Sequence, residues 1–357
     1  MALFKDMLNS GESLFVNEIA LDYDFIPKVV PYRETQQRYL AACIKPLLNQ
    51  RNGRNVIMLG PPGVGKTVAC KHVLQELEET TDDVILVYIN CWQKNTTYKV
   101  VIAMCDILGY KFTQNKKTEE LFEIVKNMLN KKSTVFVFDE IDKAEDYDFL
   151  YSLLEEIYRK SIFLITNYKS WIDEMDERIR SRLLPDILEF KPYNAIETKG
   201  ILQERAGYAF PPNAFEPAAF DFLAKKTFEV GDIRAGLHLL RESGLIAEDS
   251  SSKKITLEHA QKACSKLQTF SAKDTEELDE DSKKILELIR GNSGKKIGDL
   301  FKIYQELGGQ LVYKSFQRRV NKLDENKFIK TEKLVGGAEG NTTILKIAID
   351  KKLTEFD

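Results

Sequence analysis

The run GPPGVGKT at 60–67 fits the spacing G-x-x-x-x-G-K-[ST] completely. Each residue type in it suits the handling of a phosphate chain. Gly60, Gly63 and Gly65 let backbone N–H groups curl around phosphate oxygens without a Cβ in the way. A helix opening at Lys66 points its positive dipole end at the same anion. Lys66 adds a mobile charge for the β- and γ-phosphates, and Thr67 offers a hydroxyl for Mg2+. The stretch Gly60, Pro61, Pro62, Gly63, Val64, Gly65, Lys66, Thr67 and Val68 is therefore the candidate site for a nucleoside triphosphate, with ATP or ADP and Mg2+ as expected cofactors.

A second constellation closes the run TVFVFDEID, where four apolar residues deliver Asp139 and Glu140 to a strand end. Asp139 is placed to hold Mg2+ and Glu140 to polarise an attacking water. Alone, such a run is as often a strand end meeting solvent. About seventy residues after a phosphate loop, the catalytic reading prevails. Asp142 reads as a helix cap or surface carboxylate. Asn167, ending SIFLITN, is in position to orient the same water, although by itself it is an ordinary strand-to-loop asparagine.

These groups need a scaffold that brings strand ends together. NVIMLG (55–60), VILVYI (84–89), TVFVFD (134–139) and SIFLITN (161–167) read as buried strands. Helical stretches at 66–80, 97–109, 118–131 and 147–160 separate them. Strands alternating with helices predict an α/β fold with a parallel sheet covered on both faces. Pro31 precedes a further helix within 32–50, and residues 1–20 read as a mobile arm or a short helix. After Arg182 the strand signal mostly stops, and 194–209, 214–228, 232–247 and 256–268 read as amphipathic helices of a small all-helical domain. The acidic stretch SAKDTEELDEDS (271–282) reads as a linker or helix start. Helices at 282–290, 296–307 and 312–326 then lead into FIKTEKLV and TTILKIAI, joined by GGAEGN. Three helices and a Gly-tipped hairpin form the pattern of a winged helix.

Composition narrows the setting. The chain has 357 residues, 43% hydrophobic and 30% charged, which is a globular balance. No run approaches the ~20 apolar residues of a membrane span, so no membrane partner is expected. MALFKDMLNSGESLF, broken by Asp6, Asn9 and Glu12, lacks the apolar stretch of a signal peptide. The five cysteines have no C-x-x-C pair, which fits a reducing compartment. His72, His238 and His259 show no ligand spacing. The net charge is −3, but from Lys283 onward 16 basic residues face 10 acidic ones, leaving 36 against 45 before it. A basic C-terminal segment on an acidic chain suits one module facing a polyanion.

The ordered set GPPGVGKT, FVFDEID, LITN, DERIRSRL and GDIRAGLHLL resembles an AAA+ ATPase with its helical lid. FIPKVVPYRETQ (25–36) and CWQKNTTYKVVIAMCDILGY (91–110) are similar to segments of the archaeal replication initiators related to the origin recognition complex and cell division control protein six. The likeness covers about residues 20–350. It implies an AAA+ domain over 1–190, a lid over 191–270 and a winged-helix DNA-binding domain over 283–357. It implies that Val30, Pro31 and Arg33 line an adenine pocket, that Asn167 is the sensor-1 residue, and that Arg234 is sensor 2. Arg178 and Arg182 become candidates for an arginine finger acting on a neighbouring subunit's nucleotide. The family pattern has a second Ser where Arg182 stands, which leaves open which arginine acts.

DNA contact is expected at two places. In 312–326, Phe316, Val320 and Leu323 recur at core spacing, leaving Lys314, Ser315, Gln317, Arg318 and Asn321 on the outer face. Arg and Gln suit base edges; Lys and Ser suit phosphates. Lys333, Gly336 and Gly337 belong to the wing, whose tip carries Glu339 and so contributes shape more than charge. The second place is the initiator-type insertion, through Lys94, Asn95, Thr96, Thr97 and Lys99 at a helix N-terminus, with a capped surface helix as the alternative. Trp92 and Tyr98 read as core or groove-wall residues. The leading expectation is an ATP-regulated, slowly hydrolysing replication initiator, cytoplasmic and nucleoid-associated. Its partners would be double-stranded origin DNA, the replicative helicase and further initiator subunits. An AAA+ loader or remodelling ATPase, and a P-loop signalling regulator whose winged helix contacts protein, are the competing expectations.

Overall fold

The computed structural model describes residues 13–276, 280–292, 294–309, 311–325, 329–337 and 340–347. The chain divides into two compact units between Ala263 and Cys264.

The first unit is built on a parallel five-stranded sheet. Its strands are β1 (Val56–Leu59), β2 (Val84–Asn90), β3 (Ser133–Asp139), β4 (Lys160–Thr166) and β5 (Asp186–Glu189), in the order β2-β3-β4-β1-β5. All seven residues of β3 are buried, as a central strand covered on both faces requires. Its side chains alternate between two cores. Val135 and Val137 pack with Leu40, Ile44 and Leu47 of α1 (Glu34–Leu48) and with Val73 of α2 (Lys66–Thr80). Phe136 and Phe138 face α3 (Thr97–Ile107), α4 (Thr118–Leu129) and α5 (Asp148–Glu156), with Phe138 centred 4.9 Å from Phe149.

Two short helices, α6 (Lys169–Asp173) and α7 (Glu177–Leu183), lead into β5. This strand continues the sheet beyond the point where the sequence signal stops. It is a four-residue edge strand whose residues are all partly or fully exposed, and its place comes from pairing with β1. Its own hydrophobicity is too slight to announce it.

The lid follows as α8 (Ala195–Ala209), α9 (Pro217–Val230), α10 (Ile233–Asp249) and the start of α11 (Leu257–Glu276). Local signals set these boundaries. Asn194 and Glu197 form a reciprocal capping box, and Pro217 opens α9. Gly231 at φ +76° ends α9, and Asp232 caps α10 through the Arg234 N–H.

Of the arm or short helix expected over 1–20, residues 1–12 lie outside those described. The remainder contains a short 3-10 helix at Glu18–Leu21 and packs on the lid. Arg205 of α8 is buried, and its guanidinium donates to Ala20 O (2.7 Å), Asp22 O (2.7 Å) and Phe25 O (3.3 Å). Arg241 of α10 pairs with Glu18 and Asp22, and Phe15 stacks on Phe210.

The second unit contains α12 (Glu280–Gly291), β6 (Lys295–Lys296), α13 (Ile297–Glu306), α14 (Tyr313–Glu325), β7 (Ile329–Gly337) and β8 (Gly340–Ile347). Its antiparallel sheet has the order β6-β8-β7. Ile285, Ile289, Leu300, Phe316, Val320 and Leu323 fill its core. The acidic stretch 271–282, expected as a linker or a helix start, is helical where it is described. Helix α11 runs on to Glu276 and α12 begins at Glu280, with 277–279 outside the described residues. Among the described residues no helix is long and apolar enough to cross a membrane.

Candidate functional site

The parallel register brings the chemistry to one edge. Leu59 pairs with Thr166 and Asn90 with Asp139, so the phosphate loop, Asp139 and Asn167 all emerge at the carboxyl ends of neighbouring strands. Gly63 and Gly65 turn at φ +75° and +85°, conformations that favour glycine. Lys66 is buried, and its Nζ donates to Gly60 O (2.7 Å), Pro61 O (2.8 Å) and Asn167 Oδ1 (2.8 Å). Burial pulls its pKa down to about 8, against the opposing pull of Asp139.

Asp139 is the second buried charge. Its Oδ2 accepts from Thr67 Oγ1 (2.7 Å) and from Tyr88 OH (2.6 Å), and its Oδ1 accepts from Glu140 N (2.9 Å). Glu140 itself sits in the left-handed region at φ +53°. Burial raises its carboxyl above the usual range, and the neighbouring Asp139 and Asp142 add to this. A carboxylate with a raised pKa at the cavity wall is suited to accept a proton from water. Asp142 is not a surface carboxylate. Its side chain is 5% exposed, with Oδ1 accepting from Thr166 Oγ1 (2.9 Å) and Lys143 3.4 Å from the other oxygen. It tethers β4 just ahead of Asn167.

These groups wall a cavity of about 500 Å3. Its wall combines polar groups, Lys66, Thr67, Asp139, Glu140, Asn167 and Arg234, with apolar ones, Ile26, Pro27, Val30, Pro31, Ile201 and Leu237. This mixture suits a nucleotide, whose base takes apolar contacts and whose phosphates take charged ones. The residues also fit Mg2+. Thr67 and Asp139 bring a hydroxyl and a carboxylate oxygen within 2.7 Å of each other. Hard oxygen donors in small number, with the rest left to phosphates and water, are what Mg2+ takes.

Of the expected nucleotide residues, Val30, Pro31, Pro62, Gly63, Val64, Gly65, Lys66, Thr67 and Val68 line the cavity. Gly60 and Pro61 do not; their carbonyls hold Lys66. Arg33 also needs correcting. It is buried away from the cavity, donating to Val64 O (3.0 Å) and Lys191 O (2.6 Å). Its guanidinium lies 4.0 Å from the Tyr193 ring centre. It braces the phosphate loop against the connection to the lid. Arg234 lines the cavity, but Asp232 holds its guanidinium at 3.0 Å. Arg178 and Arg182 lie on α7, paired with Asp176 and Glu155, and neither lines this chain's cavity.

Sequence reasoning missed Tyr88, Asn90, Gln93, Tyr193, Glu204 and Arg205, all in the cavity wall. Tyr88 and Asn90 lie in a strand legible from its apolar run, yet nothing in that run tells a core tyrosine from one reaching a carboxylate. Arg205 binds backbone carbonyls some 180 residues earlier, for which no sequence signal exists.

The start of α3 departs from the expected phosphate site. Thr96 caps Lys99 N, while Thr97 N and Oγ1 donate to Asp146. Asn95 Nδ2 donates to Glu145, and Lys99 Nζ donates to Asn95 Oδ1 (2.7 Å). Two carboxylates therefore occupy the helix N-terminus beside Lys94, and the capped-helix alternative describes it. Trp92 and Tyr98 are exposed, 65% and 47%, and not core; Lys143 lies 5.2 Å from the Trp92 ring centre. On α14, Lys314, Gln317, Arg318 and Asn321 are exposed and Ser315 is half-buried. Lys333, Gly336 and Gly337 lie on β7, with Lys333 in register with Thr343. Ala338 and Glu339, expected at a wing tip, lie outside the described residues.

A phosphate loop after β1, acidic residues ending β3, a polar residue after β4 and a helical lid over the cavity define an AAA+ ATPase. The family described as AAA domain matches residues 49–168, and the Cdc6 AAA+ ATPase-type lid domain matches 199–265. An ORC1-type DNA replication protein 2 of Methanosarcina acetivorans is 30% identical over 356 residues, covering 96% of this chain and 95% of that one. An ORC1-type DNA replication protein 1 of Archaeoglobus fulgidus is 31% identical, covering 99% and 92%. The solved Aeropyrum pernix ORC1 protein in complex with DNA superposes with a TM-score of 0.71 at 26% identity, covering 95% of each chain. Cdc6p of Pyrobaculum aerophilum, 18% identical, shares the fold with a TM-score of 0.65 over 93% of this chain and 94% of that one. The chain belongs to the family of ORC1-type DNA replication proteins.

Proposed function

We propose that this protein is an ATP-regulated replication initiator that binds origin duplex DNA and helps load the replicative helicase. The observation that carries the nucleotide half is the shared cavity. Its wall joins Lys66, Thr67, Asp139 and Asn167 of the sheet domain with Arg234 of the lid. A ligand that touches both biases their separation, which is the physical basis of a nucleotide switch. Lys66 neutralises phosphate charge; the Thr67–Asp139 pair would hold Mg2+, which would supply further neutralisation of the transferring phosphoryl group. Glu140 takes the proton of the attacking water, and Asn167 orients that water while fixing Lys66. Hydrolysis is slow, and the nucleotide state matters more than turnover. Arg178 or Arg182 acts on the nucleotide of a neighbouring initiator subunit.

The DNA half rests on the second unit, read as a winged helix over 283–357, with the AAA+ domain over 1–190 and the lid over 191–270. Helix α14 buries Phe316, Val320 and Leu323 and exposes Lys314, Gln317, Arg318 and Asn321, a face suited to a major groove. The solved complex of the Aeropyrum pernix ORC1 protein with DNA supports this reading. The start of α3, already engaged by Glu145 and Asp146, contributes less. Cytoplasmic, nucleoid-associated location follows from this role.

The test is to incubate the protein and ATP with fragmented genomic DNA of its source at physiological salt, and sequence what is retained. Enrichment of a few short intergenic sites, lost on deleting 283–357, is the expected result. Uniform recovery that fades with salt would leave only phosphate binding and would favour a loader acting on protein partners.

A further inference from the structure

We infer that Tyr88 is a positioning residue for Asp139, and that its hydroxyl sets the affinity of the site for the divalent cation that accompanies the nucleotide. The inference deepens the ATPase reading above and rests on it.

Tyr88 lies on β2 and pairs in register with Val137, two residues before Asp139. Successive strand residues alternate faces, so Tyr88, Val137 and Asp139 project on the same side of the sheet. The tyrosine ring spans the gap, and its OH donates to Asp139 Oδ2 at 2.6 Å. The same oxygen accepts from Thr67 Oγ1 at 2.7 Å, and Oδ1 accepts from Glu140 N at 2.9 Å. A carboxylate offers about four acceptor positions. Three are filled here by donors from three different elements, so the carboxylate has one torsion in which all are satisfied. Asp139 is 3% exposed, and water does not readily replace a lost donor at that depth.

The tyrosine is itself held. Lys71 of α2 lies 5.0 Å from its ring centre, and Lys71 Nζ pairs with Asp24 at 3.3 Å. The ring is thus engaged by Asp139 at its hydroxyl and, through Lys71, tied to Asp24 of the segment before α1. Partners of a ligating carboxylate that do not touch the cation still tune its affinity, by about 10- to 100-fold.

The experiment is an equilibrium titration of mant-ADP into wild type and Tyr88→Phe across a Mg2+ series, with an EDTA arm. Mn2+ binding to the protein–ADP complex, followed by electron paramagnetic resonance, gives a second reading. Tyr88→Phe keeps the ring, the Lys71 contact and the packing, and removes only the hydroxyl. Tyr39→Phe is the matched control, since Tyr39 OH donates to Asp186 Oδ2 at 2.7 Å and does not line the cavity. The expected result is a half-saturating Mg2+ concentration about 10-fold higher for Tyr88→Phe, unchanged affinity in EDTA, and no shift for Tyr39→Phe. An unchanged Mg2+ curve for Tyr88→Phe, or a loss of equal size in EDTA, would overturn the role of Tyr88. Wild-type binding that ignores Mg2+ altogether would instead overturn the reading of Asp139 and Thr67 as the cation site. Thermal melting without ligand reports folding separately.

Discussion

Gly63 of the phosphate loop and Asp232 at the head of lid helix α10 are in such close approach that a Cβ on Gly63 would overlap the Asp232 carboxylate. Asp232 in turn holds Arg234 at 3.0 Å. The lid's arginine therefore reaches the cavity from a carboxylate that rests on the phosphate loop, and movement of lid against loop alters both that approach and the place of Arg234 in the cavity.

Gly63→Ala tests this approach. The backbone at φ +75° costs a non-glycine residue about 1–3 kcal/mol, and the methyl group also displaces Asp232. The expected outcome is weaker nucleotide binding with a small fall in Tm. Fluorescent nucleotide titration and thermal melting check it; wild-type affinity would mean the lid is not seated on the loop in solution.

Lys66→Ala and Glu140→Ala should separate binding from chemistry. The first removes the cation that meets the phosphates and is expected to abolish nucleotide retention. The second leaves the phosphate loop intact and should retain ATP while losing hydrolysis. Nucleotide content of the purified variants, read by chromatography, distinguishes them; equal content in both contradicts the assignment.

The depressed pKa of Lys66, about 8, gives a pH dependence. Phosphate binding needs the ammonium form. Below about pH 8 the free protein already carries it, whereas above that pH a proton must be taken up on binding. Affinity for ATP should therefore fall as pH rises from 7 to 9, with a slope approaching one proton per nucleotide. In the free protein the same group makes stability rise with pH above about 8, because the unfolded chain still holds that proton up to its ordinary lysine pKa. Calorimetric titration in buffers of different ionisation enthalpy measures the proton directly, and a pH-independent affinity over this range would count against it.

Arg205→Ala should destabilise the first unit. Three backbone carbonyls lose a buried charged donor whose own pKa is pulled down to about 10 by burial, still charged at neutral pH. A loss of about 2–4 kcal/mol is expected, with weaker nucleotide binding because Ile26 and Pro27 follow the clamped segment directly. Denaturant unfolding monitors the first effect, and a loss under 1 kcal/mol would show the segment is held by its apolar contacts instead.

Arg318→Ala is expected to weaken duplex binding by about 1–3 kcal/mol and relax preference at one base position. Lys314→Ala should weaken binding evenly across sequences and lower the salt slope. Fluorescence anisotropy at several salt concentrations resolves the two; unchanged affinity of Arg318→Ala at physiological salt removes α14 as the reading helix.

The phosphate loop and the strands behind it were legible in the residues alone. Spacing within GPPGVGKT is a local property, and apolar runs such as TVFVFD report their burial wherever they sit in the fold. Lid helices were legible for a similar reason, through the amphipathic spacing of 194–209, 214–228, 232–247 and 256–268, which is set over a few turns. Tertiary structure alone decided the rest. Edge strand β5 exists because β1 offers it a partner. Arg33 turns from the cavity because Val64 O, Lys191 O and the Tyr193 face satisfy it better. The start of α3 carries a carboxylate because the loop after β3 brings Asp146 to Thr97. Tyr88 and Arg205 became part of the site through partners 51 and 183 residues away. Hydrogen bonds of that reach are set by where elements pack, and a sequence pattern, which records only periodicity and neighbours, does not carry them.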